Sequence, residues 1–361
     1  MSAGKTNPGS FFEDFAVGQV LQHATPRTLT SGDIAVYNSL YGPRFAVQSS
    51  DEFARAVGYP RSPVDDLLVF HTVFGKTVAD ISLNAIANLG YAECRFLVPV
   101  YPGDTLSATS EIIGLRENSN RASGVVYVRS RGRNQNGEIV LEFVRWVMVR
   151  KRDRSAPVPE PVVPTLAESL PVGALRLPTS IDLARYDTAL AGSPHLWEDY
   201  AVGERIDHVD GMTIEESCHM SATRLYQNTA KVHFNQHAEK DGRFGRRIVY
   251  GGHVISLARA LSFNGLANAL RIAAINGGRH VNPCFAGDTV YAWSEVRGKD
   301  ELPGRGDAGA LRLRTIAAKD RPCGDFPTEG PAILLDLDYT VVLPRRSDGT
   351  GSAGVVPEGA G

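Results

Sequence analysis

No apolar run in this 361-residue chain approaches the roughly 18 residues that a membrane-crossing helix needs, so no membrane partner is expected. Cysteine is scarce. Cys94, Cys218, Cys284 and Cys323 are widely scattered and form no CxxC, which excludes a disulfide scaffold and points to a reducing cytoplasm. Charge of one sign is missing too: 38 basic against 40 acidic residues leave −2, so no global field gathers nucleic acid. The opening MSAGKTNPGS has no apolar core of the kind a secretory leader carries. No phosphate-binding or dinucleotide fingerprint occurs, and no cofactor is expected. With 43% hydrophobic and 22% charged residues, the chain has the composition and length for two folded domains of about 100–150 residues.

What the chain does have is a repeat. FFEDFAVGQV at 11–20 matches LWEDYAVGER at 196–205 with an offset of 185 residues. The same offset carries His23 onto His208, Thr28 onto Thr213, Leu40-Tyr41 onto Leu225-Tyr226 and Val47 onto Val232. A second block, PVYPGDTLSATSE at 99–111, matches PCFAGDTVYAWSE at 283–295 at seven of 13 positions, with an offset of 184. Two blocks in the same order with nearly the same offset mean that a whole domain was duplicated. The halves are 1–150 and 196–344. Between them, 151–195 is a proline-rich connector with six of the 21 prolines in residues 151–180, expected to be extended and semi-rigid. Residues 345–361 are rich in small residues and read as a flexible tail.

Each half places helical patterns before strands. Asp33–Tyr41 and Glu215–Asn228 read as helices. Leu67–Phe74 is a continuously apolar helix, and Val254, Leu257, Ala258 and Leu261 fall at helical spacing in a helix starting near Gly252. Strands at 122–131 and 138–151 flank Asn136-Gly137, a hairpin dipeptide, and 310–317 and 332–343 repeat the pattern. The order argues for an α+β fold, a long helix covered by a curled antiparallel sheet.

The second half resembles the MaoC-like, or R-specific enoyl-CoA hydratase, group on two motifs. Tyr226-Gln227-Asn228-Thr229-Ala230-Lys231-Val232-His233 matches that family's active-site loop in its histidine, with Asn228 where the family has aspartate. Val249-Tyr250-Gly251-Gly252-His253 matches its helix start, with Gly252 in the oxyanion position. Over both halves the chain is similar to the mesaconyl-CoA (2-methylfumaryl-CoA) hydratases of this group. The resemblance implies a tandem, or double, hot-dog fold. It implies a hydro-lyase that adds water to, or removes it from, a short branched enoyl-CoA, interconverting mesaconyl-CoA and β-methylmalyl-CoA, with coenzyme A as part of the substrate.

The residue types suit that chemistry. Hydration of an enoyl thioester needs a donor to the carbonyl oxygen, a base for water and an acid for C2. A helix-start N–H at Gly252 supplies the first, and His233 has the intrinsic pKa for the other two. Asn228 has no titratable group; it either holds water through its amide or caps the loop. Lys231, Arg243, Arg246 and Arg247 form a basic cluster that suits the phosphates of coenzyme A, or is a solvated loop face. His233 and His237 are four apart, but HFNQH lacks the glutamate of a metalloprotease helix and no third ligand is evident, so no metal is expected. His23 and His208 recur in both halves, which favours a structural role. In the first half Pro43, Gln48 and Leu67 occupy the positions of Asn228, His233 and Gly252, so one site per chain is expected, in the second half. A hot-dog thioesterase, with Asp241 as the nearest carboxylate, and a non-catalytic acyl-CoA binding module are the competing readings. A homodimer or higher homo-oligomer is the expected assembly, on which the sequence is silent.

Overall fold

The computed structural model describes residues 5–346. In the first half β1 (Val20–Thr28) precedes β2 (Ala85–Phe96), β3 (Thr105–Glu117), β4 (Ser123–Arg133) and β5 (Ile139–Arg150). In the second half β6 (Arg205–Thr213) precedes β7 (Arg271–His280), β8 (Thr289–Glu301), β9 (Ala308–Lys319) and β10 (Ile333–Pro344). All ten join one antiparallel sheet in the order β1-β3-β4-β5-β2-β7-β10-β9-β8-β6. The halves meet at its centre, where β2 pairs with β7 and Tyr91 lies opposite Gly278. This is the expected double hot dog, with its two sheets zipped into one.

The helices within each sheet follow from composition. Asp66–Thr77 is buried from Leu67 onward, because the sheet covers one side and the opposite half the other. Gly251–Leu261 is its counterpart and is buried from Gly252 onward. Gly75 is needed where the first of these helices meets the second half: a Cβ there would lie 1.8 Å from the Tyr226 carbonyl oxygen. The principal apolar core draws side chains from both halves, Phe70, Phe74 and Phe143 from one and Tyr250, Leu257 and Ile275 from the other.

The Asn136-Gly137 turn forms as expected, with Gly137 at φ +78° and Ser123 opposite Arg150 across the hairpin. Strands β2, β3, β7 and β8 are unassigned from sequence, as are β1 and β6, the sheet's two outer edges. The side chains of these two edge strands are mostly exposed, so the apolar alternation that marks a strand is absent. The helix expected over Glu215–Asn228 stops at Leu225.

His23 and His208 are structural twins. Their Nε2 atoms lie 2.7 and 2.8 Å from the hydroxyls of Ser110 and Ser294, which are themselves repeat equivalents. The connector, expected to be extended and semi-rigid, is also packed against the domains: Val162 bridges Leu115, and Leu175, Ile181, Leu183 and Ala191 are buried in a cluster with Phe53 and Leu270. Proline keeps this segment out of the sheet but not off it. Arg345 and Arg346 pair with Glu198 and Asp199, so the start of the expected tail is tied down; the remainder, from 347, lies outside the described residues. The four cysteines are free thiols. Among the described residues no helix is long and apolar enough to cross a membrane.

Candidate active site

The loop that follows the helix Glu216–Leu225 carries His233 inward. Its backbone is set by Asn228, which is 4% exposed. The Asn228 N–H donates to the Thr223 carbonyl at 3.0 Å, and its Oδ1 accepts from the Ala230 N–H at 3.1 Å. Asn228 therefore does cap the loop. Its amide nitrogen has no partner among the described residues, and the side chain also lines the cavity, so capping and water binding are compatible.

His233 is half-buried, with Nδ1 3.1 Å from the carbonyl oxygen of Ile248. A carbonyl only accepts, so Nδ1 carries the proton and Nε2 keeps its lone pair. Burial lowers the ring's pKa to about 4, so at neutral pH it is uncharged, with Nε2 unprotonated and able to accept a proton. The ring packs on Tyr250, with centroids 5.5 Å apart.

His233, Asn228, Tyr250 and Gly251 share a cavity of about 350 Å³. Here the structure corrects one expectation. The helix-start glycine lining the cavity is Gly251, not Gly252. Gly252 is buried one position further on, where a Cβ would lie 2.3 Å from the Tyr250 ring and 2.5 Å from His71. A Cβ on Gly251 would instead meet the His280 ring at 2.3 Å. Two adjacent glycines look alike in sequence; only the helix phase tells them apart. The two central helices also start differently. In the first half Asp65 caps its helix, accepting from Leu67 N–H at 2.8 Å. In the second half the cap residue is Tyr250, with no side-chain cap, and the Gly251 N–H finds no partner among the described residues.

Three further lining residues went unrecognised in the sequence. His280 sits at the end of β7 with Nε2 3.1 Å from the Tyr91 hydroxyl, and burial lowers its pKa to about 4. Tyr91 and Arg145 come from the first half, on β2 and β5. They were invisible because the repeat directs attention to loop and helix positions, whereas the strands at the seam supply the opposite wall.

The basic cluster is divided. Arg243 lines the cavity and lies over Phe244, and Arg246 stacks 3.9 Å over Phe285. Lys231, Arg243 and Arg246 are exposed, while Arg247 is tied to Glu216 and reaches the Phe234 carbonyl. Among the described residues no aspartate or glutamate lines the cavity, and Asp241 is exposed outside it. Among the described residues no cluster of His, Cys, Asp or Glu could hold a metal.

The corresponding place in the first half is filled. Gln48, Phe96 and Asp66 stand where His233, His280 and Gly251 stand, and the remaining space is about 10 Å³. The Gln48 amide donates to the Leu270 carbonyl at 2.8 Å, a structural bond.

Comparison with known proteins places the whole chain among relatives of similar sequence and fold. The family model for mesaconyl-CoA hydratase matches residues 2–159. A β-methylmalyl-CoA dehydratase of Chloroflexus aurantiacus is 67% identical over 96% of this chain and the whole of that protein. A mesaconyl-CoA hydratase of Cereibacter sphaeroides is 61% identical over 94% of this chain and all of its own length. The crystal structure of a MaoC domain dehydratase from Chloroflexus aurantiacus superposes with a TM-score of 0.94, at 66% identity over 95% of this chain and all of that one. A Mycobacterium tuberculosis protein with a double hot-dog fold gives 0.74, at 25% identity over 93% of this chain and 99% of the other. Relatives 61% and 67% identical over nearly the whole of this chain, with the double hot-dog fold described above, lead to one conclusion: the chain belongs to the mesaconyl-CoA hydratase family of MaoC-like double hot-dog hydro-lyases.

Proposed function

We propose that the chain hydrates mesaconyl-CoA to β-methylmalyl-CoA, and dehydrates it in reverse, at a single site in its second half. The observation that carries the chemistry is His233, whose Nε2 lone pair is freed by the Nδ1–Ile248 bond in a cavity shared with Gly251. In the forward direction His233 takes a proton from water as the oxygen bonds to C3. The C=C electron pair moves toward the thioester, and negative charge develops on its oxygen. The Gly251 N–H, at the positive end of its helix, stabilises that charge. The Asn228 amide holds the water. The protonated histidine then delivers its proton to C2, and a ring whose pKa burial lowers to about 4 releases it readily.

Arg243, in the cavity lining, and the exposed Arg246, stacked on Phe285, suit the phosphates of coenzyme A. Among the described residues none in the cavity lining is acidic, which disfavours the thioesterase reading, since that calls for a carboxylate to activate water. Four free thiols support a cytoplasmic location. Incubation of the protein with mesaconyl-CoA, following enoyl absorbance and free thiol together, tests the reading. Enoyl loss without thiol is expected. Thiol release would establish a thioesterase, and no change in either would leave only a binding module.

A further inference from the structure

We infer that Arg145, from the first half, binds the free carboxylate of the acyl group, with the Asn88 amide beside it. This rests on the hydratase reading for the identity of the acyl chain, but not for the geometry. Arg145 is fully buried, on β5 within the cavity wall. Its Nη2 donates to the hydroxyls of Thr77 at 2.9 Å and Ser82 at 3.3 Å, and its guanidinium lies 4.4 Å over the Phe74 ring. Its Nε–H has no partner, and among the described residues no carboxylate pairs with it. A buried cation without a counter-ion is costly unless an anion completes it. Asn88 lines the same cavity, and neither end of its amide has a partner.

The duplication shows that the fold does not need these groups. Val128 pairs with Arg145 across β4 and β5, and its repeat equivalent Leu313 pairs with Tyr339. By the same registers Asn88 faces Val147, and Ile272 faces Val341 in the second half. The structural counterparts of Arg145 and Asn88 are thus Tyr339 and Ile272. A fold that accepts tyrosine and isoleucine at these two positions does not call for a cation and an amide; a ligand does. Mesaconyl-CoA supplies a carboxylate on C3, the carbon that water attacks, so clamping it would place that carbon as well as select it.

Binding of two saturated, non-reacting thioesters to the full chain tests this, measured by calorimetry: 2-methylsuccinyl-CoA, which keeps the carboxylate, and 2-methylbutanoyl-CoA, which has methyl in its place. Wild type is expected to prefer the acid by about 10²-fold or more. Arg145→Met should abolish the preference by weakening the acid alone, with a melting temperature close to wild type, which a purely structural arginine would not give. Arg145→Lys keeps the charge but not the forked donor, should retain part of the preference, and serves if the Met variant does not fold. Asn88→Ala should reduce the preference several-fold. Wild type that binds both thioesters equally, or variants that keep its preference or lose both ligands alike, overturn the assignment. Failure of the hydration assay with the preference intact would refute the reaction and leave the carboxylate site standing.

Discussion

Tyr41 and Tyr226 occupy the same position of the two repeats and touch each other, hydroxyl to hydroxyl, at 2.8 Å. The internal two-fold axis of the chain therefore passes between them. The symmetry is already broken one bond away. Tyr41 also lies 2.8 Å from His253 Nδ1, for which the first half has no counterpart. Removal of the Tyr41 hydroxyl leaves both buried partners short of a bond. Tyr41→Phe should cost about 1–3 kcal/mol, read from urea or thermal unfolding. Unchanged stability would mean that the pair is incidental to the seam.

His233→Ala should lower kcat by roughly 10²–10⁴-fold, as expected for loss of a general acid and base. Gln48→Ala, at the filled counterpart, should leave kcat within a few-fold of wild type. A tight non-reacting analogue should titrate to one equivalent per chain. Two equal equivalents, or a Gln48 variant as inactive as the His233 variant, would relocate the chemistry.

The adjacent glycines should separate function from fold. In Gly251→Ala the new methyl displaces the His280 ring and crowds the thioester approach; the protein should fold and lose most of its kcat. In Gly252→Ala the methyl collides with Tyr250 and His71, both buried, and the melting temperature should fall by several degrees. The reverse pattern would restore Gly252 as the residue facing the substrate.

Acid should act on stability and on rate through different histidines. Burial holds His71 and His253 near 3 and His208 near 4, so these rings stay neutral in the folded chain while they charge in the unfolded one below about 6.5. The unfolded state then binds the extra protons, and stability falls as pH drops from 6.5 toward 4, by up to about 1.4 kcal/mol per pH unit for each ring. Melting temperatures measured from pH 8 to 4.5 should be flat and then decline. The hydration rate should hold through neutrality and fail only as His233 protonates near 4. A loss of kcat/KM with midpoint near 6.5 would mean that burial does not depress this ring.

Much of the candidate site's lining was legible in the sequence, and the illegible part has a common cause. His233, Asn228 and the glycine pair lie in short contiguous segments, where motif spacing carries the information. The identity of the open glycine depended on helix phase. Arg145, Asn88, Tyr91 and His280 depended on which strands meet at the seam, a long-range pairing that no local pattern encodes. The hairpin at Asn136-Gly137 was readable because a turn residue must adopt φ > 0. The edge strands were not, since half-exposed strands need no apolar alternation.

The filled counterpart of the candidate active site has a consequence for how such a protein can change. Two identical subunits read from a single coding stretch must carry every hollow twice, and each hollow forfeits packing in proportion to its volume. A fused chain escapes that constraint. It can close one hollow with Phe96 and Gln48 and keep the other open, so the unpacked space needed for a branched diacid weakens the protein once rather than twice. Its closed half is then free to supply a wall, and the wall can be altered without disturbing the groups that move protons.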